Sequence, residues 1–165
     1  MTQLPLTGGC QCGAVRYALH TEPKYPHICH CRMCQKAFGS FFAPLAGGVL
    51  REDFEVTRGT IATFKSSDEA ERGFCSNCGT PLTFHYFTSK WIAASTGSLD
   101  HPEQVVPNIQ YGIESRVPYF HDLAGLPGEA TEDDADEAAR LAHIRATNHQ
   151  HPDHDTDRWP PEASQ

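Results

Sequence analysis

The residues best suited to chemistry in this sequence are its seven cysteines, which fall into three short groups. The groups are Cys10 and Cys12; Cys29, Cys31 and Cys34; and Cys75 and Cys78. Two thiolates one or two residues apart can bind the same ion, and Zn²⁺ takes four ligands in a tetrahedron at about 2.3 Å. Glycine follows Cys12 and Cys78, where it permits the left-handed turn that points backbone N–H groups at sulfur. The spacing therefore predicts that every cysteine is a metal ligand.

The three groups divide most simply into a site of four thiolates and a site of three. The first and last groups together supply four ligands, which makes a closed structural zinc site. The middle group supplies three, which leaves one position on the ion for water or substrate. Two alternatives remain open: a four-ligand site made by the first two groups, and a redox pair at Cys31–Cys34 or Cys75–Cys78. The redox interpretation is the weaker, since neither pair lies between a strand and an evident helix.

Composition argues against several other classes of protein. The chain has 165 residues, 13 Lys and Arg against 21 Asp and Glu, and a net charge of −8, which disfavours binding to nucleic acid. It has no apolar run of the roughly 18 residues that a membrane helix needs, and no basic, apolar leader at its start. An odd number of cysteines in such a chain argues against a disulfide scaffold. We therefore expect a cytoplasmic protein without membrane or nucleic-acid partners.

The acidic residues are concentrated near the C-terminus. Residues 128–165 carry ten acidic and three basic residues, whereas residues 1–127 are almost neutral and contain all seven cysteines. This contrast predicts a compact zinc-binding body, residues 1–127, followed by a polar acidic tail, residues 128–165.

The tail has a signal for one short helix. Thr131 and Asp134 resemble a capping box before an Ala-rich stretch, and beyond Asn148 we expect extended or disordered chain. Three histidines of this last part could bind a divalent ion loosely, although solvated chain is the simpler expectation: His149, His151 and His154.

The body has the pattern of short antiparallel strands, and none of its windows sustains a helical period. Runs rich in β-branched or aromatic residues predict strands at Ala14–Leu19, Ile61–Lys65, Pro81–Phe87 and Trp91–Ser95. Pro44 predicts that its segment is an edge strand or irregular, because proline cannot donate a hydrogen bond to a sheet. The predicted fold class is mainly β, with small antiparallel sheets organised around the cysteine groups.

Three cysteine-containing motifs, taken in order, resemble those of a known family: Gly8–Tyr17, Cys29–Lys36 and Phe74–Leu82. From about residue 6 to residue 127 the chain resembles the glutathione-dependent formaldehyde-activating enzyme family, which includes the centromere protein V-like domains. The resemblance implies a small β-tent fold and two zinc ions. It places a structural zinc on Cys10, Cys12, Cys75 and Cys78, and a second zinc on Cys29, Cys31 and Cys34. It also implies a carbon–sulfur lyase that joins glutathione and formaldehyde into S-hydroxymethylglutathione.

The sequence departs from this family at two positions near the end of the body. The family commonly has histidine where this chain has Gln110, and tryptophan where it has Tyr119. If that histidine moves a proton or orients substrate, its replacement bears on the activity. Two alternatives to catalysis therefore stay open: a protein that only binds glutathione or zinc, and a protein-interaction module of the centromere protein V-like kind.

Side chains near the middle cysteine group suggest how a substrate would be held there. Three thiolates and Zn²⁺ sum to a charge of −1, so nearby cations would favour an added thiolate or the carboxylates of a thiol substrate. The candidate cations are Arg32, Lys36 and Arg116, each of which could equally be a solvated surface charge. His30 lies between two ligands, and we expect a structural or surface role rather than ligation because its side chain would point away from the metal.

Overall fold

The structure is a computed structural model that describes residues 4–130 and 137–160. These residues form ten β-strands and two α-helices. The strands are β1 (Leu6–Gly9), β2 (Arg16–Leu19), β3 (Tyr25–Cys29), β4 (Ala43–Leu50), β5 (Phe54–Arg58), β6 (Ala62–Lys65), β7 (Ala70–Phe74), β8 (Pro81–Tyr86), β9 (Trp91–Ser95) and β10 (Ile109–Tyr111). The helices are α1 (Arg32–Phe38) and α2 (Ala138–Thr147). The predicted mainly β class and the short helix in the tail are confirmed.

The strands of the described residues form two sheets of unequal size. The smaller has three strands in the order β1-β2-β5, and the larger has seven in the order β10-β3-β4-β9-β8-β7-β6. Neighbouring strands are antiparallel except β10 and β3, which run parallel. The larger sheet is therefore mixed, whereas the sequence predicts antiparallel pairing only.

The four predicted strands are all present, each within two residues of its predicted ends. They are β2, β6, β8 and β9. Their β-branched and aromatic side chains suit the pleated, half-buried surface of a sheet.

The prediction for Pro44 is wrong, because Pro44 lies in β4 and β4 is central, between β3 and β9. Pro44 pairs with Ile28 of β3, but the pairing of β4 with β9 begins only at Leu45. Proline is tolerated here because only one neighbouring strand is paired at this end of β4.

Helix α1 follows the middle cysteine group and is not predicted by the sequence pattern. It begins after Cys31, whose sulfur accepts a hydrogen bond from the backbone N–H of Cys34 at 3.4 Å, and it ends at Gly39 in the left-handed conformation. Gln35 is buried and donates to the backbone carbonyl of His30 at 2.7 Å. A seven-residue helix fixed by such polar contacts needs no long apolar stripe, so periodicity does not reveal it.

Buried side chains form two clusters in the described part of the chain, and each cluster contains one of the cysteine sites. The larger cluster includes Leu6, Tyr17, Leu19, Val49 and Leu82 together with Cys10 and Cys75. The smaller cluster consists of Cys34, Ala43, Leu45 and Ala93, with Phe38 and Phe84 packed against it. Apolar packing therefore helps to fix the position of the sulfur atoms at both sites.

Residues 150–159 of the tail lie against the body and are called the strap below. The strap has no helix or strand, yet His151 is only 8% exposed, and Asp155 accepts a hydrogen bond from Arg16 of β2 at 2.7 Å. His149 and His154 are exposed. The expectation of solvated chain is therefore wrong for the strap, because cations and carbonyls of the body supply its polar partners.

The rest of the tail is described only in part. The predicted capping residues, Thr131 and Asp134, lie outside the described residues, and the division at residue 127 stays a prediction. None of the helices within residues 4–130 and 137–160 has the length and apolar character needed to cross a bilayer.

Candidate metal centres

The first and last cysteine groups come together to form a four-cysteine site. Cys10 and Cys12 follow β1 of the smaller sheet, whereas Cys75 and Cys78 lie between β7 and β8 of the larger sheet. The four sulfur atoms lie within 4.8 Å of one another, with 3.6 Å between Cys10 and Cys12 and 3.9 Å between Cys12 and Cys75. Sulfur atoms around a tetrahedral zinc are about 3.8 Å apart. The spacing suits Zn²⁺, and a site made by the first two groups is not formed.

The two glycines that follow these groups act as the sequence predicts. Gly13 has a φ of 72° and Gly79 a φ of 78°, which only glycine adopts without strain. Each N–H closes a turn, on the carbonyl of Cys10 at 3.0 Å and on that of Cys75 at 2.8 Å. The backbone N–H of Val15 then donates to the Cys10 sulfur at 3.2 Å. The turns therefore bring backbone dipoles to a thiolate, as ligand groups of this kind require.

The thiols of the four-cysteine site suit a soft cation. Burial raises the pKa of Cys10 to about 12. At Cys78 burial also opposes ionisation, but hydrogen bonds from Thr80 and Cys12 outweigh it and lower the pKa to about 6. Zn²⁺ stabilises the thiolate form of its ligands, so an ion here would compensate the burial of Cys10. Four thiolates favour zinc over oxygen-seeking ions such as Mg²⁺.

The middle cysteine group forms a second, three-cysteine site. Cys29 is the last residue of β3, Cys31 precedes α1, and Cys34 lies in α1. Their sulfur atoms lie within 4.8 Å of one another, and no imidazole or carboxylate of residues 4–130 and 137–160 joins them as a fourth ligand. This arrangement fits a metal with one position left for another ligand. The argument against a redox pair at Cys31–Cys34 needs correction, because β3 ends just before the pair and α1 begins within it. The sulfur of Cys29 lies close to both of these sulfur atoms, and a third thiol favours metal binding instead.

Strand β10, which pairs in parallel with β3, supports the three-cysteine site through contacts with its backbone. The backbone N–H of His30 donates to the carbonyl of Tyr111 at 2.8 Å. Gly112 has a φ of 65°, and a Cβ there would lie 2.7 Å from the Cys31 nitrogen. His30 is fully buried, and its Nε2 lies 2.9 Å from Oε1 of Gln110. His30 is therefore held inside the fold, which fits a structural role, and the exposed Gln110 contacts it.

A cavity of about 360 Å³ opens beside the three-cysteine site. All three cysteines line it. Most of the other lining residues are apolar or aromatic: Met33, Leu45, Ala70, Phe84, Tyr86 and Tyr111. The remaining ones are polar: His27, Ser66, Ser67 and Arg72. An open metal position beside a mostly apolar cavity is a typical arrangement for binding a small molecule.

Arg72 of β7 is the one arginine or lysine side chain that lines this cavity in the described structure. Its Nη2 donates to the Cys34 sulfur at 3.4 Å, and its guanidinium carbon lies 4.9 Å from the centroid of the Phe84 ring. The guanidinium is thus held between the aromatic face of Phe84 and the sulfur of Cys34. It brings a positive charge to a site where three thiolates and Zn²⁺ would otherwise leave a charge of −1.

The three thiols differ in acidity. Burial raises the pKa of Cys29 to about 12, and burial also raises the pKa of Cys34 although Arg72 acts to lower it. Burial opposes ionisation of Cys31 as well, but the backbone N–H of Cys34, the neighbouring thiols and Arg72 outweigh it and lower the pKa. Cys31 is therefore the thiol of this site that is most readily ionised.

The body of the chain is similar in sequence to a known protein family. A sequence profile described as "Glutathione-dependent formaldehyde-activating enzyme" matches residues 5–115, which include all seven cysteines. This chain belongs to the glutathione-dependent formaldehyde-activating enzyme family. An uncharacterized lyase of Schizosaccharomyces pombe is 36% identical over 84 residues, a match that spans 50% of this chain and 59% of that relative. A crystal structure of a Rhodobacter sphaeroides protein has 22% identity and a TM-score of 0.49, and the match covers 64% of this chain and 99% of the other.

The structure places the three predicted cations of this family member away from the cavity. Arg32 is exposed and donates to Gln35 at 3.1 Å, and Lys36 is exposed. Arg116 lies 3.4 Å from the side-chain oxygen of Gln110. None of the three is among the residues that line the cavity, so a role in binding substrate stays a prediction.

Sequence reasoning misses Arg72, although the family match includes it. Arg72 is 38 residues from Cys34 in the chain, and only the position of β7 in the larger sheet brings the two together. Its nearness to Cys75 in sequence is the one signal available, and that signal points to the other site. The strap is missed for a related reason, since residues 116–165 lie outside the family match.

Proposed function

We propose that this chain is a two-zinc enzyme that makes or breaks the carbon–sulfur bond of a thiol–aldehyde adduct. The pair given by the family's name is glutathione and formaldehyde, which combine into S-hydroxymethylglutathione. The observation that carries the proposal is the three-cysteine site: three sulfur atoms within 4.8 Å, no fourth side-chain ligand among the described residues, and a cavity of about 360 Å³ beside them. The relative named as a lyase supports the same reaction class.

The donor set determines what a metal would contribute. Zinc held by Cys29, Cys31 and Cys34 would offer a position that favours the thiolate form of a substrate thiol or polarises a carbonyl oxygen. The chain itself supplies the surroundings. Arg72 offsets the negative charge of the cysteine thiolates, and Phe84 and the other apolar side chains lower the local polarity, which strengthens interactions between charges.

The reaction needs no redox partner. The sulfur of the thiol attacks the carbonyl carbon, a carbon–sulfur bond forms, and the π electron pair moves to the oxygen. The oxygen takes up a proton equivalent to the one that the thiol released. The reverse reaction breaks the same bond and regenerates thiol and aldehyde, so one site can serve both directions.

Metal content and exchange kinetics together test this proposal. We expect two zinc ions per purified chain, of which one is removed more readily by a chelator, because the three-cysteine site is more open. A chain with a single tightly held zinc would contradict the open site. The second measurement is exchange between glutathione plus formaldehyde and their adduct, followed by exchange NMR at several protein concentrations; the rate should rise in proportion to protein.

Cys31→Ser is the matched variant for the kinetic test. Serine is a good N-cap residue, so α1 and the fold should persist while one metal ligand is lost. We expect the exchange rate to fall to that of the uncatalysed reaction, with one zinc retained. A wild-type rate that does not depend on protein concentration would leave the non-catalytic binding protein as the correct interpretation.

A further inference from the structure

The cavity beside the three-cysteine site is much larger than formaldehyde requires. Its volume is about 360 Å³, whereas formaldehyde needs the space of about one or two waters, each of which occupies roughly 30 Å³ in the liquid. Aromatic and aliphatic side chains form most of its wall, and three of them stand at a partly exposed opening: Met33, Tyr86 and Tyr111. Cavities of this kind bind apolar groups and use a few polar atoms to orient them.

The charges around the cavity also argue against a highly charged occupant. Glutathione carries two carboxylates and an ammonium group, but Arg72 is the one permanently charged side chain among the described lining residues. Burying unpaired charges in an apolar space is unfavourable. The cavity is therefore better matched to an apolar group with a single hydrogen-bond acceptor than to the whole glutathione molecule.

Arg72 has hydrogen-bonding capacity that the described chain does not use. A guanidinium has five N–H donors in a fixed fork. In the structure Nη2 donates to the Cys34 sulfur, whereas Nη1 is enclosed and has no acceptor among the described residues. A buried donor without an acceptor is unfavourable. Because Arg72 also lines the cavity, a turn of its side chain would bring this unpaired donor to an oxygen of a bound molecule. The wall is mostly apolar, so that hydrogen bond would be stronger than one in water.

We propose that Arg72 binds the carbonyl oxygen of an aldehyde with an apolar body, an aryl or alkyl group of roughly four to eight carbons. This inference rests on the proposed function, in which the same site joins a thiol to an aldehyde. As the carbon–sulfur bond forms, the carbonyl π pair moves to oxygen and Arg72 donates to the developing alkoxide. Arg72 keeps its proton, and the alkoxide takes one from solvent in place of the proton that the thiol released. A fixed donor at the atom where charge develops lowers the barrier.

A binding experiment with unreactive amides tests the site without relying on turnover. Phenylacetamide has the ring and the carbonyl oxygen but is not an electrophile, and acetamide has the oxygen alone. With the zinc-loaded chain in a calorimeter, we expect phenylacetamide to bind about tenfold more tightly than acetamide, as burial of a ring predicts. Equal affinities would overturn the proposal.

Three arginine variants assign the hydrogen bond to Arg72. Arg72→Met should weaken phenylacetamide binding about tenfold, because the charged donor is lost. Arg72→Lys should give an intermediate loss, since an ammonium group cannot reproduce the planar fork. Arg51→Met is the matched control, because Arg51 is exposed and does not line the cavity. An affinity of Arg72→Met equal to that of the wild type would overturn the role of Arg72.

Two further variants test the size of the cavity. Ala70→Leu places a larger side chain in the wall, and it should weaken phenylacetamide binding more than acetamide binding, because only phenylacetamide carries a ring. Because Ala70 is buried in β7, zinc content and circular dichroism must show that this variant folds. Ser66→Leu, at a half-buried position of the same wall, makes the same test if Ala70→Leu does not fold. Phenylacetamide binding unaffected by a folded variant would contradict the proposal.

Exchange kinetics separate this inference from the function on which it rests. With phenylacetaldehyde and formaldehyde as alternative substrates, we expect a higher kcat/KM for phenylacetaldehyde. Equal acceleration of both would overturn the preference for an apolar body and retain the lyase. Amide binding that depends on Arg72, with no accelerated exchange for either aldehyde, would retain the carbonyl site and overturn the proposed function.

Discussion

The four-cysteine site and the three-cysteine site use the same ligand type but have different surroundings. At the four-cysteine site the strap covers the turn that carries Cys12: the indole N–H of Trp159 donates to the carbonyl of Cys12 at 2.8 Å, and the N–H of His151 donates to that of Gln11 at 2.7 Å. At the three-cysteine site the sulfur atoms border a cavity of about 360 Å³. One site is partly covered by the strap, and the other borders a cavity large enough for a small molecule.

The two sites also differ in how much of the fold depends on them. Cys12 and Cys75 are 63 residues apart and belong to different sheets, so a metal on the four-cysteine site joins parts of the chain that are distant in sequence. The three cysteines of the other site lie within one short segment, which β10 and α1 hold by ordinary hydrogen bonds. A metal bound at the four-cysteine site would stabilise the fold, whereas a metal bound at the three-cysteine site would be placed for chemistry.

The largest effect that tests this comparison is expected from Cys75→Ser. Zinc binding to structural sites is worth about 10–16 kcal/mol, so removal of one ligand should unfold the chain at 25 °C, as circular dichroism would show. Cys31→Ser should keep the folded spectrum and lose only exchange activity. A folded Cys75→Ser chain beside an unfolded Cys31→Ser chain would reverse the assignment of the two sites.

A smaller effect is expected at the ion pairs of Arg16, which lies between the body and the strap. Arg16 donates to Asp100 at 2.7 Å and to Asp155 at 2.7 Å, but the Asp100 side chain is 5% exposed and that of Asp155 56%. Asp100→Ala removes the buried partner of Arg16 and leaves only the exposed Asp155, so it should lower the free energy of unfolding by about 3–5 kcal/mol. Asp155→Ala should lower it by under about 1 kcal/mol. Denaturant titration of the zinc-loaded variants measures both losses. Equal losses would contradict the expectation that the buried pair stabilises the fold more than the exposed pair.

Removal of the strap should have a moderate effect on one site only. In a chain that ends at Thr147, the contacts of His151 and Trp159 are lost. Each hydrogen bond contributes about 1 kcal/mol, so the loss of one or both should make zinc leave the four-cysteine site roughly five- to thirtyfold faster. Release from the three-cysteine site should not change, because the strap does not line its cavity. A chelator that changes colour when it binds zinc follows release from both sites, as a fast phase for the three-cysteine site and a slow phase for the four-cysteine site. Trp159→Ala tests the same cover with a single substitution. An unchanged rate for the slow phase would contradict a covering role for the strap.

The smallest predicted effect is a dependence of strap docking on pH. Burial, with contributions from Arg16 and Arg58, lowers the pKa of His151 below its ordinary value of 6.5. The docked strap therefore favours neutral His151, so docking is complete above about pH 6.5 and is lost as the pH falls through the lowered pKa. The chain has two tryptophans, so Trp159 fluorescence in a Trp91→Phe background reports docking. His151→Gln should remove the pH dependence while zinc content stays constant; a dependence that persists would exclude His151 as its origin.

Much of the fold was predictable because its signals are local. The runs that became β2, β6, β8 and β9 have side chains suited to strands, and Gly13 and Gly79 stand where the ligand turns need positive φ. The failures have a common cause. Helix α1, the central position of β4 and the parallel partner β10 depend on contacts made by other parts of the chain, and a window of sequence contains none of them.

The sequence by itself determined which residues are the candidate ligands of this protein. Thiolates one or two residues apart can chelate one ion, so the spacing of the seven cysteines indicates metal sites and favours a four-plus-three division. The structure brings the cysteines together in that division. Only the tertiary structure decided what surrounds those sites. Arg72 meets Cys34 across 38 residues, and Trp159 meets Cys12 across 147. Contacts over such separations arise from sheet order and chain packing, which residue type and local spacing do not encode.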